Sequence, residues 1–241
     1  MNYRIYCPSY KRANIAISHK LFKPEHFSYV VREEEMEAYR MSFPDVDLIA
    51  VPEGKVTNLT NTRNWILDNT PENKYHIQID DDMKAVAWIF KRKPMALDIN
   101  HLHHIICNMF EMTEDMGLHM WGMNCVEDPM AYRTSKPFHF NRVCLGPWQA
   151  FIKTELRYDE VLYLKEDYDF FLQHMHRDGR IFRANYLHYR VDHQKLAGGC
   201  QMYRTEEKER AQNRLLEKKW GSKIVRMNWK SPHSINMRIV V

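Results

Sequence analysis

No stretch of the 241-residue chain reaches the roughly 18 consecutive apolar residues that a membrane-spanning helix needs, so no membrane span is expected. The opening MNYRIYCPSYKR lacks the apolar core of a secretory leader and reads as a strand from its first residues. Five cysteines, at 7, 107, 125, 144 and 200, lie far apart and form no CxxC pair. That odd, scattered set argues against a disulfide framework and a zinc ribbon, and favours reduced thiols in a cytoplasmic setting. Neither GxxxxGKS/T nor GxGxxG occurs, which removes support for a P-loop or a dinucleotide cofactor. No GxSxG or Cys/His nucleophile signature appears. Repeats, low-complexity segments and Pro/Gly/Ser linkers are also missing. The chain therefore reads as one continuous domain over 1–203, with a basic helical extension over 204–241 packed on it.

Composition supplies material for that domain. A hydrophobic fraction of 44% with 12% aromatic residues can build a sizeable core. The net charge of +4 is modest but unevenly placed: from Glu206 onward, nine Lys/Arg stand against four Glu. Such an end suits a polyanionic partner, although a solvated helix face would look the same.

Strand-like segments come early, at 3–10, 27–31, 46–52 and 75–80, separated by a Lys/Arg-rich turn, an acidic helical stretch and the helix-like TNLTNTRNWILDNT (57–70). Strands alternating with helices predict an α/β fold with a mainly parallel sheet. Further helices are expected over 95–117, 164–179 and 204–220, with short aromatic-rich strands and loops over 121–155. A strand and then a Gly-rich loop follow Gly179.

In parallel sheets, ligands bind beyond the carboxyl ends of the strands. Two chemistry-bearing stretches fall there. YHIQIDDD (75–82) alternates like a half-buried strand and ends in Asp80, Asp81 and Asp82. Hard cations such as Mg²⁺ and Mn²⁺ prefer carboxylate oxygens. On an extended chain Asp80 and Asp82 would point to one side and Asp81 to the other, towards a sugar or ribose. An ordinary acidic turn is the competing reading. CPSYKR offers Ser9, Tyr10 and Arg12, able to stack on a base or bind ribose and phosphate, with packing as the alternative for Tyr10. Arg63 lies on the helix preceding the aspartates, and could equally form an ordinary ion pair. KEDYDFFLQHMHRDG (165–179) places Glu166 and Asp167 in a first helical turn, where the dipole favours carboxylates. One of them could accept a proton from an attacking hydroxyl; helix capping explains one acid equally well. His193 precedes LAGGC, a loop able to approach a ligand closely. His101, His103 and His104 have no carboxylate at a matching offset and read as surface histidines.

Taken in order, the P-S-Y-x-R strand end, TRN helix, D-D-D strand end, ED-x-D helix closing on Gly and later His resemble GT-A fold glycosyltransferases. These enzymes have a Rossmann-like, mainly parallel sheet flanked by helices. The resemblance spans roughly residues 3–200. With the H-x-x-x-x-G-G-C stretch and the basic KKWG end, the chain looks most like the phage-type TET-associated DNA glycosyltransferases. The resemblance implies that Asp80 and Asp82 hold Mn²⁺ or Mg²⁺ against the diphosphate of a nucleotide sugar, with His193 as a further ligand. It places Ser9, Tyr10, Arg12, Arg63, Asp80 and Asp81 around the nucleotide sugar. Asp167 becomes the catalytic base of an inverting transfer, with Glu166 the other candidate. The departure is DDD in place of DxD with a neutral middle residue, which leaves ligand registration open by one position.

The expected donor is UDP-glucose or a relative, and the expected acceptor a 5-hydroxymethylpyrimidine in DNA, in the host cytoplasm if a phage encodes the protein. Aromatics beside cations in AYRTSKPFHFNR (131–142) and RMNWK (226–230) fit nucleic acid, but could also be core. Three rivals remain at this point: a glycosyltransferase for glycan, lipid or protein, a nucleotidyltransferase, and a non-catalytic nucleic-acid-binding module.

Overall fold

The early alternating segments build one half of the sheet. The computed structural model describes residues 1–70, 72–125, 128, 130, 132–191, 204–227 and 235–237. In it β1 (Tyr3–Pro8), β2 (Phe27–Arg32), β3 (Asp47–Val51) and β4 (Tyr75–Ile79) run parallel in the order β3-β2-β1-β4. Ile5 faces Phe27 on one side and Ile77 on the other, so the apolar sets share a register. The connections carry α1 (Met36–Ser42) and α2 (Leu59–Asn69). Asn58 starts α2 by accepting the Asn61 amide at 3.0 Å.

The second half is mixed. It contains β5 (Met83–Phe90), β6 (Lys93–Ala96), α3 (Ile99–Asp115), β7 (Met120–Asn124), β8 (Phe138–His139), β9 (Trp148–Ile152), α4 (Glu166–Asp178) and β10 (Phe182–Val191). The sheet continues from β4 as β9-β7-β10-β5-β6, with β8 paired to β10. β9 is antiparallel to both β4 and β7, while β10 is parallel to β7 and antiparallel to β5. Trp121 and Trp148, both buried, meet Phe110 of α3 and Phe22 in the main core.

Several expectations need correction. The β5–β6 hairpin was not foreseen, and α3 begins at Ile99, not 95. Pro94 and its neighbours are in the hairpin, and the Asp98 carboxylate caps the helix by accepting the Asn100 and His101 amides at 2.9 Å each. His103 is not a surface histidine: it is half-buried, with Nδ1 2.9 Å from the Tyr3 hydroxyl and its ring beside His26. His101 and His104 are exposed, as expected. α4 ends at Gly179, whose φ of 72° is the left-handed cap that glycine supplies.

The C-terminal part is helical only at first. α5 (Glu206–Trp220) is followed by an antiparallel pair, β11 (Val225–Met227) and β12 (Ile235–Met237). α5 seats on the first turn of α4 and the loop before it: Lys219 pairs with Asp159 and Asp169 at 2.8 Å each, and the Trp220 indole donates to Asp169 Oδ1 at 2.8 Å. Among the described residues no helix is long and apolar enough to cross a membrane.

Candidate functional site

The carboxyl ends of β1 to β4 open into a cleft of about 1040 Å³. Ser9, Tyr10 and Arg12 line it after β1, Arg32 at the end of β2, Arg63 from α2, Asp80 to Asp82 after β4, and Glu166 and Asp167 from α4. Ser9, Tyr10, Arg12, Arg63, the three aspartates, Glu166 and Asp167, spread over 158 positions of sequence, thus share one cavity. The volume is that of a site able to enclose a nucleotide-sized ligand. His193 lies outside the described residues.

β4 stops at Ile79, so the aspartates stand on a turn and not on an extended strand. This corrects the expected alternation. Asp81 and Asp82 are the buried pair and Asp80 is half-buried. Ile17 and Ser18 tie the turn down. The Ile17 amide donates to Asp81 O at 2.9 Å, the Ser18 hydroxyl donates to Asp80 O at 2.7 Å, and the Met83 amide donates to Ser18 Oγ at 2.9 Å.

Asp81 accepts hydrogen bonds from the Ser9 hydroxyl and the Arg12 guanidinium. Its carboxylate and these two side chains therefore hold one another, so Asp81 builds the cleft wall. Burial raises the Asp81 pKa, against the pull of Arg12 and Ser9. Arg12 also comes within 3.8 Å of Asp82. Tyr10 sits half-buried under the Arg32 guanidinium, 4.0 Å from ring centroid to Cζ.

Asp82 differs from its neighbours in having no hydrogen-bond partner for its buried Oδ1 among the described residues. Burial, then the charges of Asp80 and Asp81, push its carboxyl well above the usual range. An orphaned carboxylate oxygen next to two further carboxylates is a place where a cation lowers the energy. No three His, Cys, Asp or Glu side chains converge into a closed metal cage among the described residues. An open carboxylate edge of this kind suits a hard cation whose remaining ligands come from substrate phosphate and water. The residues present fit Mn²⁺ or Mg²⁺ on those terms.

Arg63 stands between the two acidic groups. Its side chain is 1% exposed; Nη1 donates to Gln149 Oε1 at 2.6 Å, and Nη2 to Asp80 Oδ1 at 3.2 Å and to Gly146 O at 3.3 Å. Nε lies 3.9 Å from Glu166 Oε1. Burial opposes the charge, but Tyr158, Asp80 and Glu166 more than restore it. Glu166 is itself buried, and burial followed by the charge of Asp167 raises its pKa. Asp167 is half-buried at the cleft, its Oδ2 accepting the Gly146 amide at 3.0 Å and its Oδ1 the Tyr168 amide at 2.8 Å.

Sequence reasoning missed Gln149, Tyr158 and Gly146. The Tyr158 hydroxyl donates to the same Gln149 Oε1, at 2.8 Å, that receives Arg63. Their segments carry no local motif: the β4–β9 pairing, which sets Gln149 opposite Gln78, brings Gln149 under Arg63, and of the three only Gly146 lines the cleft itself. Asp169, by contrast, serves structure: Lys219, Trp220 and Gln173 all engage it. In the 131–142 segment Phe138 packs against Phe182 and Tyr186, whereas Phe140 stacks on Phe182 but stays exposed. Trp229 lies outside the described residues.

Comparison with known proteins bears on this arrangement. No curated protein matches the chain. Among solved structures, TarS of S. aureus superposes with a TM-score of 0.51 at 12% identity, over 90% of this chain and 40% of TarS. The TarS 1–349 fragment in complex with UDP-GlcNAc gives 0.51 at 14% identity, covering 90% of this chain and 67% of that one. The chain thus spans about two-fifths of the TarS chain, and at these identities the likeness is one of fold, the GT-A fold. The family model for TET-associated glycosyltransferases matches residues 3–199. With that match covering most of its length, the chain belongs to the TET-associated glycosyltransferase family and has the GT-A fold.

Proposed function

We propose that the protein moves a sugar from a nucleotide-sugar donor, UDP-glucose or a relative, to the hydroxyl of a 5-hydroxymethylpyrimidine in DNA, with inversion at the anomeric carbon. The observation that carries this reading is the opposition of two carboxylate groups across one cleft: the Asp80–Asp82 turn on one side, Glu166 and Asp167 on the other, with Arg63 between. Asp80 and Asp82 would hold Mn²⁺ or Mg²⁺, with His193 as a further ligand. A divalent cation there would supply Lewis-acid neutralisation of the charge left on the departing diphosphate. That a GT-A relative was solved with UDP-GlcNAc is consistent with a donor of this class.

The residues of the chain divide the remaining work. Tyr10, held against Arg32, offers a surface for a base, and Ser9 and Arg12, fixed by Asp81, shape the wall beside it. Arg63 faces the diphosphate region from α2 with its orientation set by Gln149. Asp167, steered by the Gly146 and Tyr168 amides, takes the proton from the acceptor hydroxyl. An aspartate is too weak a base to ionise an alcohol beforehand, so its proton transfer accompanies attack on the anomeric carbon. Glu166, whose carboxyl burial and then the charge of Asp167 raise to about 8, is largely protonated near neutral pH and so less available to take that proton. Residues 1–203 form the transferase domain in this reading and 204–241 its extension, and a DNA acceptor places the reaction in the cytoplasm.

The test is to incubate the protein with Mn²⁺, a panel of nucleotide sugars and DNA containing 5-hydroxymethylcytosine or 5-hydroxymethyluracil, followed by nucleoside mass spectrometry. A hexose or pentose adduct is expected. Transfer to a glycan with none to DNA would replace the acceptor. Asp167→Asn is expected to bind donor without transfer, and retained turnover would reassign the base.

A further inference from the structure

The cleft has two halves of different chemistry, bridged by Arg63, which reaches Asp80 on one side and Glu166 on the other. The half over the ends of β1 to β3 takes the nucleotide in the reading above. The other half lies across β4 in the sheet order, at the ends of β7 and β10. There Cys125, Tyr189, Leu145, Tyr168 and Arg204 line it, contributed by those strand ends, the 145–147 loop, α4 and the start of α5.

Charge limits what can enter that second half. Four acids line it, Glu166, Asp167, Glu206 and Glu209. Its two lining cations are engaged: Lys165 Nζ lies 2.6 Å from Glu209 Oε2, and Arg204 Nε 3.0 Å from Glu209 Oε1. Even with Glu166 protonated, three carboxylates remain against two cations already spent. A phosphodiester entering here meets repulsion.

Depth limits it as well. Asp167 is half-buried, and both of its oxygens accept backbone amides, from Gly146 and Tyr168. It stands in the first turn of a helix that α5 covers through Lys165 and Asp169, not on a projecting element. In a paired duplex the C5 substituent of a pyrimidine lies in the major groove, about 12 Å wide and roughly 8.5 Å deep. Reaching it there takes a narrow projection that tolerates phosphates at both rims. A recessed, acidic wall does neither, whereas a single uncharged ring can come to it.

Tyr168 is the surface such a ring would meet. Its amide donates to Asp167 Oδ1 at 2.8 Å, so its side chain branches from the backbone directly beside the proton acceptor. The ring is half-buried and lines the cleft, with Lys165 Nζ, held by Glu209, 5.6 Å from its centroid. Leu145, Pro147 and Val191 add apolar lining. We propose that the acceptor pyrimidine leaves the base stack and enters this half alone, its ring against Tyr168 and its hydroxymethyl oxygen at Asp167, with the DNA backbone outside the rim. The inference rests on the DNA-acceptor reading above and deepens it.

Extrusion costs least where the base is mismatched or already unpaired, and that dependence is the test. Sugar transfer to 5-hydroxymethylcytosine is measured in a matched duplex, a mismatched duplex, a duplex with an abasic site opposite, and a single strand. The expected kcat/KM rises by about tenfold or more from the matched to the abasic duplex. A matched duplex with 2-aminopurine next to the target should brighten when the protein and UDP are added. Tyr168→Ala should lower kcat/KM for DNA by about tenfold or more, with Tyr168→Phe retaining most of it, because the ring and not the hydroxyl stacks. If the wild type modifies all four DNAs at equal kcat/KM with no fluorescence change, the base reacts in place; the extrusion proposal is overturned and the acceptor reading stands. Wild-type kcat/KM in Tyr168→Ala would overturn the seat on that ring. If no form of DNA is modified, the acceptor reading falls and takes extrusion with it.

Discussion

Gly146 and Asp167 are fitted to one another. The Gly146 amide donates to Asp167 Oδ2 at 3.0 Å, and a Cβ built on Gly146 would lie 3.0 Å from that oxygen and 3.4 Å from Asp167 Cβ. Gly146→Ala is therefore expected to push the carboxylate aside without unfolding the protein. Because small misplacements of a reacting group are costly, kcat should fall by about tenfold or more, with donor KM nearly unchanged. Steady-state kinetics check this, and an unchanged kcat would remove Asp167 from the reaction.

Asp82 is expected to cost the metal-free protein stability. Burial and two neighbouring carboxylates raise its folded pKa above the unfolded value. A carboxyl shifted in that direction favours the folded state at low pH, and loses that favour as pH rises towards the folded pKa. Asp82→Asn should thus raise the neutral-pH melting temperature in EDTA by a few degrees (roughly 1 kcal/mol). It should also abolish any rise in melting temperature on adding Mn²⁺, along with sugar transfer. Differential scanning fluorimetry with and without Mn²⁺ separates the two effects.

Arg63 should be irreplaceable even by lysine. Its guanidinium serves Gln149, Asp80 and the Gly146 carbonyl at once, at 1% side-chain exposure. An ammonium cannot reproduce that fork. Arg63→Met leaves Asp80 and Glu166 without their shared counter-charge, and should destabilise the protein by about 3 kcal/mol or more. Urea unfolding measures it, and a variant of wild-type stability would contradict the bridging role.

Two buried histidines set a test away from the cleft. Burial, then Lys153, lowers His76 to about 3, and burial, chiefly, lowers His174 to about 4. Both must stay neutral to remain folded. Since the unfolded value is about 6.5, their contribution is present in full above that pH, and is lost as pH falls towards their folded values. At pH 5 the loss for His174 is on the order of 2 kcal/mol. His174→Leu should lose less stability than the wild type between pH 7.5 and 5, as followed by urea midpoints. Equal slopes would mean that His174 is hydrated.

How much of this was legible depended on distance along the chain. β1 to β4 announce themselves because alternation and bounding polar residues are local, and the acidic turn was found because it abuts one of those strands. The side on which each aspartate points was misread, since alternation ends at Ile79 and the turn obeys Ile17 and Ser18 instead. Gln149 and Tyr158 stayed hidden because what gives them meaning is a guanidinium 86 positions upstream in the first case, and the shared Gln149 oxygen in the second. The hairpin escaped for another reason: KAVAWIF looks like buried core, and nothing in its order shows that Trp88 and Phe90 face outward.

The way α5 is seated has a practical consequence for anyone trimming the polypeptide. Lys165, next to Glu166, is 4% exposed and meets Glu209 of α5 at 2.6 Å, while Asp169 relies on Lys219 and Trp220. Cutting the gene near codon 204 would strand an ammonium and a carboxylate inside the protein, within one helical turn of the cleft. A minimal catalytic fragment should keep this helix; affinity tags and fusion partners belong beyond it.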